Sequence, residues 1–258
     1  MQYVDTADGR LHYQVEGRDD APWLILSNSL GTTLDMWAPQ MPALQGFRVL
    51  RYDTRGHGKS AIPSAPCSIA QLGKDVIALM DALGVTRAHF CGLSMGGMTG
   101  MWLGIHQPKR IDRLVLCSAL PYLGAPDVWN ARIAKVQGEG MASIVPAVID
   151  RWFTQAFQQR APAQVEQVRR MLLNCDPAGY TANCAAVRDM DQRDGVAAIT
   201  APTLIIAGKH DQSVPPADAK KLTGEIAGAR FVELNAAHLT NWEAAEAFTA
   251  ELLGFLSA

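Results

Sequence analysis

Short runs of hydrophobic residues alternate along the chain with longer amphipathic stretches. Six runs have the length of a buried strand: 23–26, 47–52, 88–91, 114–117, 204–207 and 231–234. Between them, residues 69–83 and 95–106 show helical periodicity, closed by Gly84 and by Pro108 respectively. Strands that are apolar throughout are typical of a sheet covered on both faces. The pattern therefore predicts an α/β fold with a mostly parallel, twisted sheet flanked by helices.

The pattern departs from this alternation in two places. Residues 1–16 predict an antiparallel hairpin that turns at Asp8-Gly9. From 122 to 195 the periodicity is helical, and no further strand pattern begins before Thr203. We therefore expect a core formed by residues 1–121 and 196–258, with an inserted helical cap at 122–195. Such a cap would cover the crevice at the carboxyl ends of the strands, where open α/β sheets bind ligands.

Composition and charge narrow the class of protein. The chain has 258 residues, of which 48% are hydrophobic and 19% charged, as in an ordinary globular domain with an insertion. Its net charge of -2 provides no basic field, so neither nucleic acid nor a membrane surface is an expected partner. The first 17 residues carry four charges and no long apolar run, which predicts a cytoplasmic protein. No pattern indicates an oligomeric state.

The five cysteines indicate free thiols. They are odd in number, scattered, and contain no Cys-x-x-Cys pair: Cys67, Cys91, Cys117, Cys175 and Cys184. Neither a disulfide framework nor a zinc site is expected from this spacing.

The stretch Gly92-Leu93-Ser94-Met95-Gly96 has the pattern of a nucleophile elbow, a tight turn from a strand into a helix. Glycines two residues to either side leave room for such a turn, because a Cβ there would strike the neighbouring strand or helix. The pattern predicts that Ser94 is exposed at the end of the sheet as a nucleophile.

A serine nucleophile needs a histidine base and a carboxylate that orients the base. His238 follows the run 231–234 through a turn of small residues, and Asp211 follows the run 204–207. The order Ser94, Asp211, His238 is that of the α/β-hydrolase fold. A turn or helix-cap role for Asp211 is the simpler alternative, but it does not account for the order of the three residues.

An oxyanion hole requires at least two N–H donors directed at the developing charge. Met95 would provide one from its backbone, and we expect the second from Leu30, in the loop after the first apolar run. That loop has Asn28-Ser29 where His-Gly is commoner in the superfamily. A purely structural role for the loop is the alternative.

The segment 53–60 ends in Gly-Lys-Ser but does not fit a phosphate-binding loop. Asp53 occupies the position of the required first glycine, and a proline-rich stretch follows where a helix should begin. It is instead expected to form a structural turn in which His57 is buried or bridging.

The chain resembles the 3-oxoadipate enol-lactonases, bacterial enzymes of the β-ketoadipate pathway of aromatic degradation. The resemblance covers nearly the whole length and rests on SNSLGTTLDMW (27–37), RYDTRGHG (51–58), GLSMGGM (92–98), WNARI (129–133), RWFT (151–154) and GYTANC (179–184). It implies the α/β-hydrolase fold and opening of a five-membered enol-lactone to 3-oxoadipate through an acyl-enzyme. This mechanism needs no metal or organic cofactor.

The substrate that the resemblance implies carries a free carboxylate, which must meet a cation or several N–H donors if it is buried. Arg132 and Arg188 are the candidates, although a solvated helix face explains either one equally well. Trp129 is a candidate for the pocket wall, with packing inside the cap as the commoner role for such an aromatic residue.

Other functions fit the same residues. A general carboxylesterase, or a cofactor-free haloperoxidase or perhydrolase, would use the same triad, because fold and triad do not determine the substrate. A hydrolase fold reused as a non-catalytic small-molecule receptor is less expected, since a receptor gains nothing from an intact triad.

Overall fold

The centre of the molecule is a sheet of eight strands, seen in a computed structural model that describes residues 2–257. The strands are β1 (Gln2–Thr6), β2 (Gly9–Glu16), β3 (Trp23–Ser27), β4 (Arg48–Tyr52), β5 (Ala88–Leu93), β6 (Ile111–Cys117), β7 (Thr203–Gly208) and β8 (Arg230–Leu234). Their order is β1-β2-β4-β3-β5-β6-β7-β8. β1 and β2 pair antiparallel, β2 pairs antiparallel with β4, and all other pairs are parallel.

Each apolar run forms a strand of the parallel part of the sheet, with small differences at the ends. The run 47–52 begins one residue later, at Arg48, while the other five strands extend beyond their apolar runs. In the hairpin, Thr6 pairs with Gly9, so the turn is Ala7-Asp8, one residue earlier than predicted. Gly9 has φ +117°, a conformation that favours glycine. Met1 lies outside the described residues.

Ten α-helices are described between residues 2 and 257. They are α1 (Ile69–Ala82), α2 (Met95–His106), α3 (Pro126–Glu139), α4 (Val145–Trp152), α5 (Gln155–Arg160), α6 (Pro162–Leu173), α7 (Pro177–Arg188), α8 (Pro216–Glu225), α9 (Thr240–Glu243) and α10 (Ala245–Leu256). The two helices that periodicity predicted are α1 and α2. α1 ends one residue earlier than expected, and Gly84 follows with φ +68°.

The middle of the sheet is covered on both faces. Every residue of β5 and of β7 is buried, although successive side chains of a strand point to opposite faces. α2 packs on β5 and β6, and α8 packs on β7. The near-continuous apolar character of these strands follows from this double covering.

Helices α3 to α7 all fall between β6 and β7 in the chain. They share the hydrophobic core of the sheet region, to which they contribute Val136, Ile149, Val168 and Tyr180. Backbone hydrogen bonds also join the two parts, one of them from the N–H of Leu239 to the carbonyl of Trp152. This helical segment is therefore packed firmly against the sheet region.

No helix among residues 2–257 has the length and apolar character needed to cross a membrane. All five cysteines are buried free thiols. Burial raises the pKa of the Cys67 thiol to about 11, which keeps that thiol protonated at neutral pH.

Candidate active site

Ser94 occupies the sharp turn between β5 and α2. Its backbone has φ 57° and ψ -118°, a strained conformation for a residue with a side chain. A Cβ added at Gly92 would lie 2.1 Å from the carbonyl oxygen of Gly96, and one added at Gly96 would lie 2.2 Å from that of Ser27. The flanking glycines are therefore required by close backbone contacts, and they allow the turn that presents Ser94.

Asp211 and His238 form a buried hydrogen-bonded pair. The Nδ1 atom of His238 lies 2.7 Å from Oδ2 of Asp211. The other carboxylate oxygen, Oδ1, accepts the N–H groups of Ser213 at 2.8 Å and Val214 at 3.0 Å. Because a carboxylate accepts at Nδ1, the neutral imidazole carries its proton there and Nε2 is left as the basic nitrogen. His238 and Ser94 line the same cavity.

The backbone around His238 is held on three sides. Its carbonyl accepts the hydroxyl of Ser118 at 2.9 Å, and the N–H of Ala237 donates to Glu243 at 3.0 Å. The ring of Trp152 stacks near the imidazole, with centroids 6.1 Å apart and planes at 24°. Ser118 directly follows β6, Glu243 lies in α9 and Trp152 ends α4, so His238 is positioned by both the sheet region and the inserted helices.

Two backbone N–H groups at the cavity, those of Leu30 and Met95, have no hydrogen-bond partner among residues 2–257. Met95 is the first residue of α2, where helix N–H groups have no intrahelical acceptor. Leu30 lies in a turn closed by a 3.2 Å hydrogen bond from the N–H of Thr32 to the carbonyl of Ser29. Free amides on two sides of a serine have the composition of an oxyanion hole.

The cavity has a volume of about 240 Å³ and lies between the sheet and the inserted helices. Ser94, His238 and Leu30 line one side. Trp129, Arg132, Arg151 and Tyr180, from α3, α4 and α7, line the other. Two of the three residues that sequence analysis proposed for the substrate, Trp129 and Arg132, therefore border the cavity.

Arg132 and Arg151 make this end of the cavity positive. The ion pairs found among residues 2–257 involve other arginines, and neither of these two meets a carboxylate within 4.0 Å. Arg132 lies over the Trp129 ring at 4.8 Å. Burial, with the nearby Arg132 charge as a second cause, lowers the pKa of Arg151. Two neighbouring guanidinium groups without a carboxylate partner favour a bound anion.

Arg188 does not line the cavity. At the end of α7 its guanidinium pairs with Asp189 at 2.7 Å and donates to Asn130 at 2.8 Å. The structure thus replaces Arg188 by Arg151 as the second cation of the cavity, a residue that sequence analysis missed. Arg151 stands in the RWFT motif beside Trp152, which was the signal available in the sequence. Tyr180 likewise lines the cavity and stands in the GYTANC motif, but sequence analysis did not propose it for the site.

The geometry can be compared with known proteins. A family model described as alpha/beta hydrolase fold matches residues 22–160. The chain belongs to the α/β-hydrolase family. This confirms the predicted fold class, and the turn that carries Ser94 lies within the matched region.

Members of this family with similar sequences include lactonases. 3-Oxoadipate enol-lactonase 2 of Acinetobacter baylyi is 40% identical over 93% of this chain and 91% of its own length. The crystal structure of the enol-lactonase from Burkholderia xenovorans is 46% identical, covers 100% of both chains and superimposes with a TM-score of 0.98. A Caulobacter protein, RutD, to which carbamate hydrolysis is ascribed only provisionally, is 32% identical over 98% of this chain and 97% of its own. The resemblance to the enol-lactonases is thereby confirmed.

Among residues 2–257, no three His, Cys, Asp or Glu side chains are grouped so that they could hold a metal ion. The cavity instead combines a serine, a histidine with its carboxylate, free amides and two guanidinium groups. These groups can perform acyl transfer on an anionic ester or lactone.

Proposed function

We propose that this protein hydrolyses 3-oxoadipate enol-lactone to 3-oxoadipate through an acyl-enzyme on Ser94. The observation that carries the proposal is the presence of two arginines without a carboxylate partner, Arg132 and Arg151, in the same cavity as Ser94 and His238. The triad accounts for acyl transfer, and the arginines account for an anionic substrate. The similarity to lactonases named for this substrate supports the choice.

In the first half of the reaction, Nε2 of His238 takes the proton of Ser94 while the serine oxygen attacks the lactone carbonyl. Asp211 holds the imidazole in the tautomer that leaves Nε2 basic and stabilises the imidazolium that forms. The amides of Leu30 and Met95 stabilise the negative oxygen of the tetrahedral intermediate.

Collapse of this intermediate breaks the ring C–O bond and releases an enolate, which stays covalently attached through the acyl chain. The proton that His238 took from Ser94 passes to the enolate, which becomes a ketone through protonation at carbon, so ring closure is not favoured and His238 is again a base. In the second half, His238 activates a water molecule that attacks the acyl-enzyme and returns the proton to Ser94. The product carries a second carboxylate and a ketone.

The free carboxylate of the substrate would bind at Arg132 and Arg151, with Trp129 beside it. Burying that charge without a partner would cost on the order of several kcal/mol. A cavity of about 240 Å³ suits a small, compact acid. We also propose that residues 122–195 act as a cap, because α3, α4 and α7 supply this end of the cavity.

We propose that the protein acts in small-molecule metabolism and that neither nucleic acid nor a membrane is its partner. Five free thiols are typical of a reducing compartment, which supports the cytoplasm as the location.

The first experiment follows the loss of enol-lactone absorbance with purified protein, beside the Ser94→Ala variant and a neutral aryl ester. Rapid lactone opening that disappears in the variant would support the proposal. Fast ester cleavage without lactone opening would assign the protein to the general carboxylesterases or their haloperoxidase and perhydrolase relatives. A wild-type protein that a serine-directed phosphonate does not label at Ser94 would be a receptor.

A further inference from the structure

His57 is a buried histidine that the catalytic steps above do not use. It lies in the turn at 53–60 and is 2% exposed. Its Nδ1 atom lies 3.1 Å from the carbonyl oxygen of Arg55, and its Nε2 atom lies 2.8 Å from the backbone nitrogen of Gly31. Both ring nitrogens are therefore engaged by the backbone.

These two partners determine the tautomer of His57. A carbonyl oxygen only accepts hydrogen bonds, so Nδ1 must carry the proton. The N–H of Gly31 only donates, so Nε2 must be unprotonated and act as the acceptor. Burial lowers the pKa of His57, although the hydrogen bond to the Arg55 carbonyl and the charge of Asp53 act in the opposite direction, so the ring stays neutral near pH 7.

Gly31 directly follows Leu30, the residue whose free amide lines the cavity. The N–H on the other side of Leu30, that of Ser29, donates at 3.4 Å to the sulfur of Met36, which is a weak acceptor. Of the two N–H groups that flank Leu30, that of Gly31 therefore has the strong acceptor, the imidazole of His57. Gly31 itself has φ +84° and little intrinsic preference for one conformation.

The turn that carries His57 is itself held firmly. Asp53 accepts the N–H of Lys59 at 3.0 Å and that of Leu34 at 2.9 Å. The side-chain amide of Asn183, on α7, donates at 2.8 Å to the same Arg55 carbonyl that His57 contacts. A rigid turn can transmit a fixed position to the loop at Gly31.

We propose that His57 is a positioning residue for the oxyanion hole. Its neutral imidazole accepts the N–H of Gly31 and so fixes the orientation of the Leu30–Gly31 peptide. The adjoining backbone then keeps the free N–H of Leu30 available to the developing oxyanion. The inference rests on the proposed acyl-transfer function of the cavity. The turn at 53–60, which was expected to be structural, then also contributes to catalysis through His57.

Two amide variants separate this task from simple packing. His57→Gln reaches the position of Nε2 with a side-chain oxygen that can accept the Gly31 N–H. His57→Asn ends near the position of Nδ1 and cannot reach that N–H. Because asparagine is also one methylene smaller, His57→Met is the control of matched size: it fills the space of glutamine without an oxygen or nitrogen acceptor and should behave like His57→Asn.

The readouts are kcat and KM for the lactone and the rate at which a serine-directed fluorophosphonate labels Ser94. We expect His57→Asn to lower kcat about 10- to 100-fold with little change in KM. This loss is smaller than the loss of kcat expected when an oxyanion-hole donor is removed altogether. His57→Gln should stay within about fivefold of the wild type. Labelling should fall in parallel, because the phosphonyl oxygen uses the same donors.

Equal losses in the two variants, or wild-type kcat in His57→Asn, would overturn the proposal. If the wild type opens no lactone but is labelled, the substrate assignment fails while the labelling rates of the two variants still test His57. Should His57→Asn not fold, long-range nitrogen-proton NMR of the wild-type imidazole decides. A proton found on Nε2 would contradict the inference, and an unprotonated Nε2 would support it.

Discussion

The carboxylate of Glu243 accepts the backbone N–H of Ala237, the residue before His238, at 3.0 Å. The same oxygen accepts the N–H of Thr154 at 3.2 Å, and the other oxygen accepts the Thr154 hydroxyl. Thr154 caps α5. One buried carboxylate therefore joins the loop of His238 to the inserted helices, so a change at Glu243 should affect both.

Replacing Glu243 by alanine should lower both stability and kcat. The substitution leaves the N–H groups of Ala237 and Thr154 without their carboxylate acceptor. A buried unsatisfied group lowers the free energy of unfolding by about 1–3 kcal/mol. Glu243→Gln keeps an oxygen for these donors and should retain most of the stability. Urea unfolding and steady-state kinetics measure the two effects. Wild-type stability and kcat in Glu243→Ala would show that this link is unimportant.

Removing either cavity arginine should weaken binding of an anionic substrate selectively. A hydrogen bond to a charged group contributes about 1.5–3 kcal/mol, so Arg132→Met or Arg151→Met should raise KM for the lactone roughly 10- to 100-fold. Hydrolysis of a neutral aryl ester should change little. Arg188→Met is the matched control and should leave both substrates unaffected, because its guanidinium pairs with Asp189 away from the cavity. A larger effect in the control than in the two variants would contradict this assignment of the cations.

Two inactive variants of Ser94 should differ in stability. Alanine keeps a Cβ in the strained backbone at φ 57°, whereas glycine relieves that strain. Strain of this kind costs about 1–3 kcal/mol, and the greater chain entropy of unfolded glycine offsets about 0.5–1 kcal/mol of the gain. Ser94→Gly should therefore be about 1 kcal/mol more stable than Ser94→Ala, as measured by thermal unfolding. A less stable glycine variant would mean that the turn is not strained.

Stability should fall as the pH drops from neutral, and His57 should account for part of the loss. Burial lowers its folded pKa below the ordinary value of 6.5. The unfolded chain then binds a proton at His57 more readily than the folded protein does. The contribution of His57 to the free energy of unfolding is therefore complete above pH 6.5 and is lost as the pH falls through the folded pKa. Unfolding free energies measured across this window should vary less with pH in His57→Gln than in the wild type. His89, whose pKa burial also lowers, should account for a further part. Identical pH dependence in His57→Gln and wild type would exclude a buried neutral His57.

Much of the fold and of the triad can be predicted because local sequence carries the information. Continuous apolar runs form the parallel strands, since a strand buried on both faces has no polar position to interrupt it. Ser94, Asp211 and His238 follow three such runs, and parallel strands bring their carboxyl ends to one edge of the sheet. Their convergence in space thus follows from their positions in the sequence.

The contacts between the inserted helices and the sheet could not be predicted in this way. Arg188 and Arg151 are both helical arginines of the segment 122–195, and helical periodicity alone does not show which of them faces the cavity. Which one borders the cavity depends on how α4 and α7 pack. The same holds for Glu243 and His57, whose partners Thr154 and Gly31 are distant in sequence.

By itself, the sequence determined the parallel strands, helices α1 and α2, the order of Ser94, Asp211 and His238 and the close glycine contacts, because each depends on neighbouring residues or on strand order. Only the tertiary structure decided which cations face the cavity, what holds the base in place and what holds the loop at Leu30. Those properties come from side chains far apart in the chain, whose orientations are set by packing and by hydrogen-bond partners that no local pattern encodes.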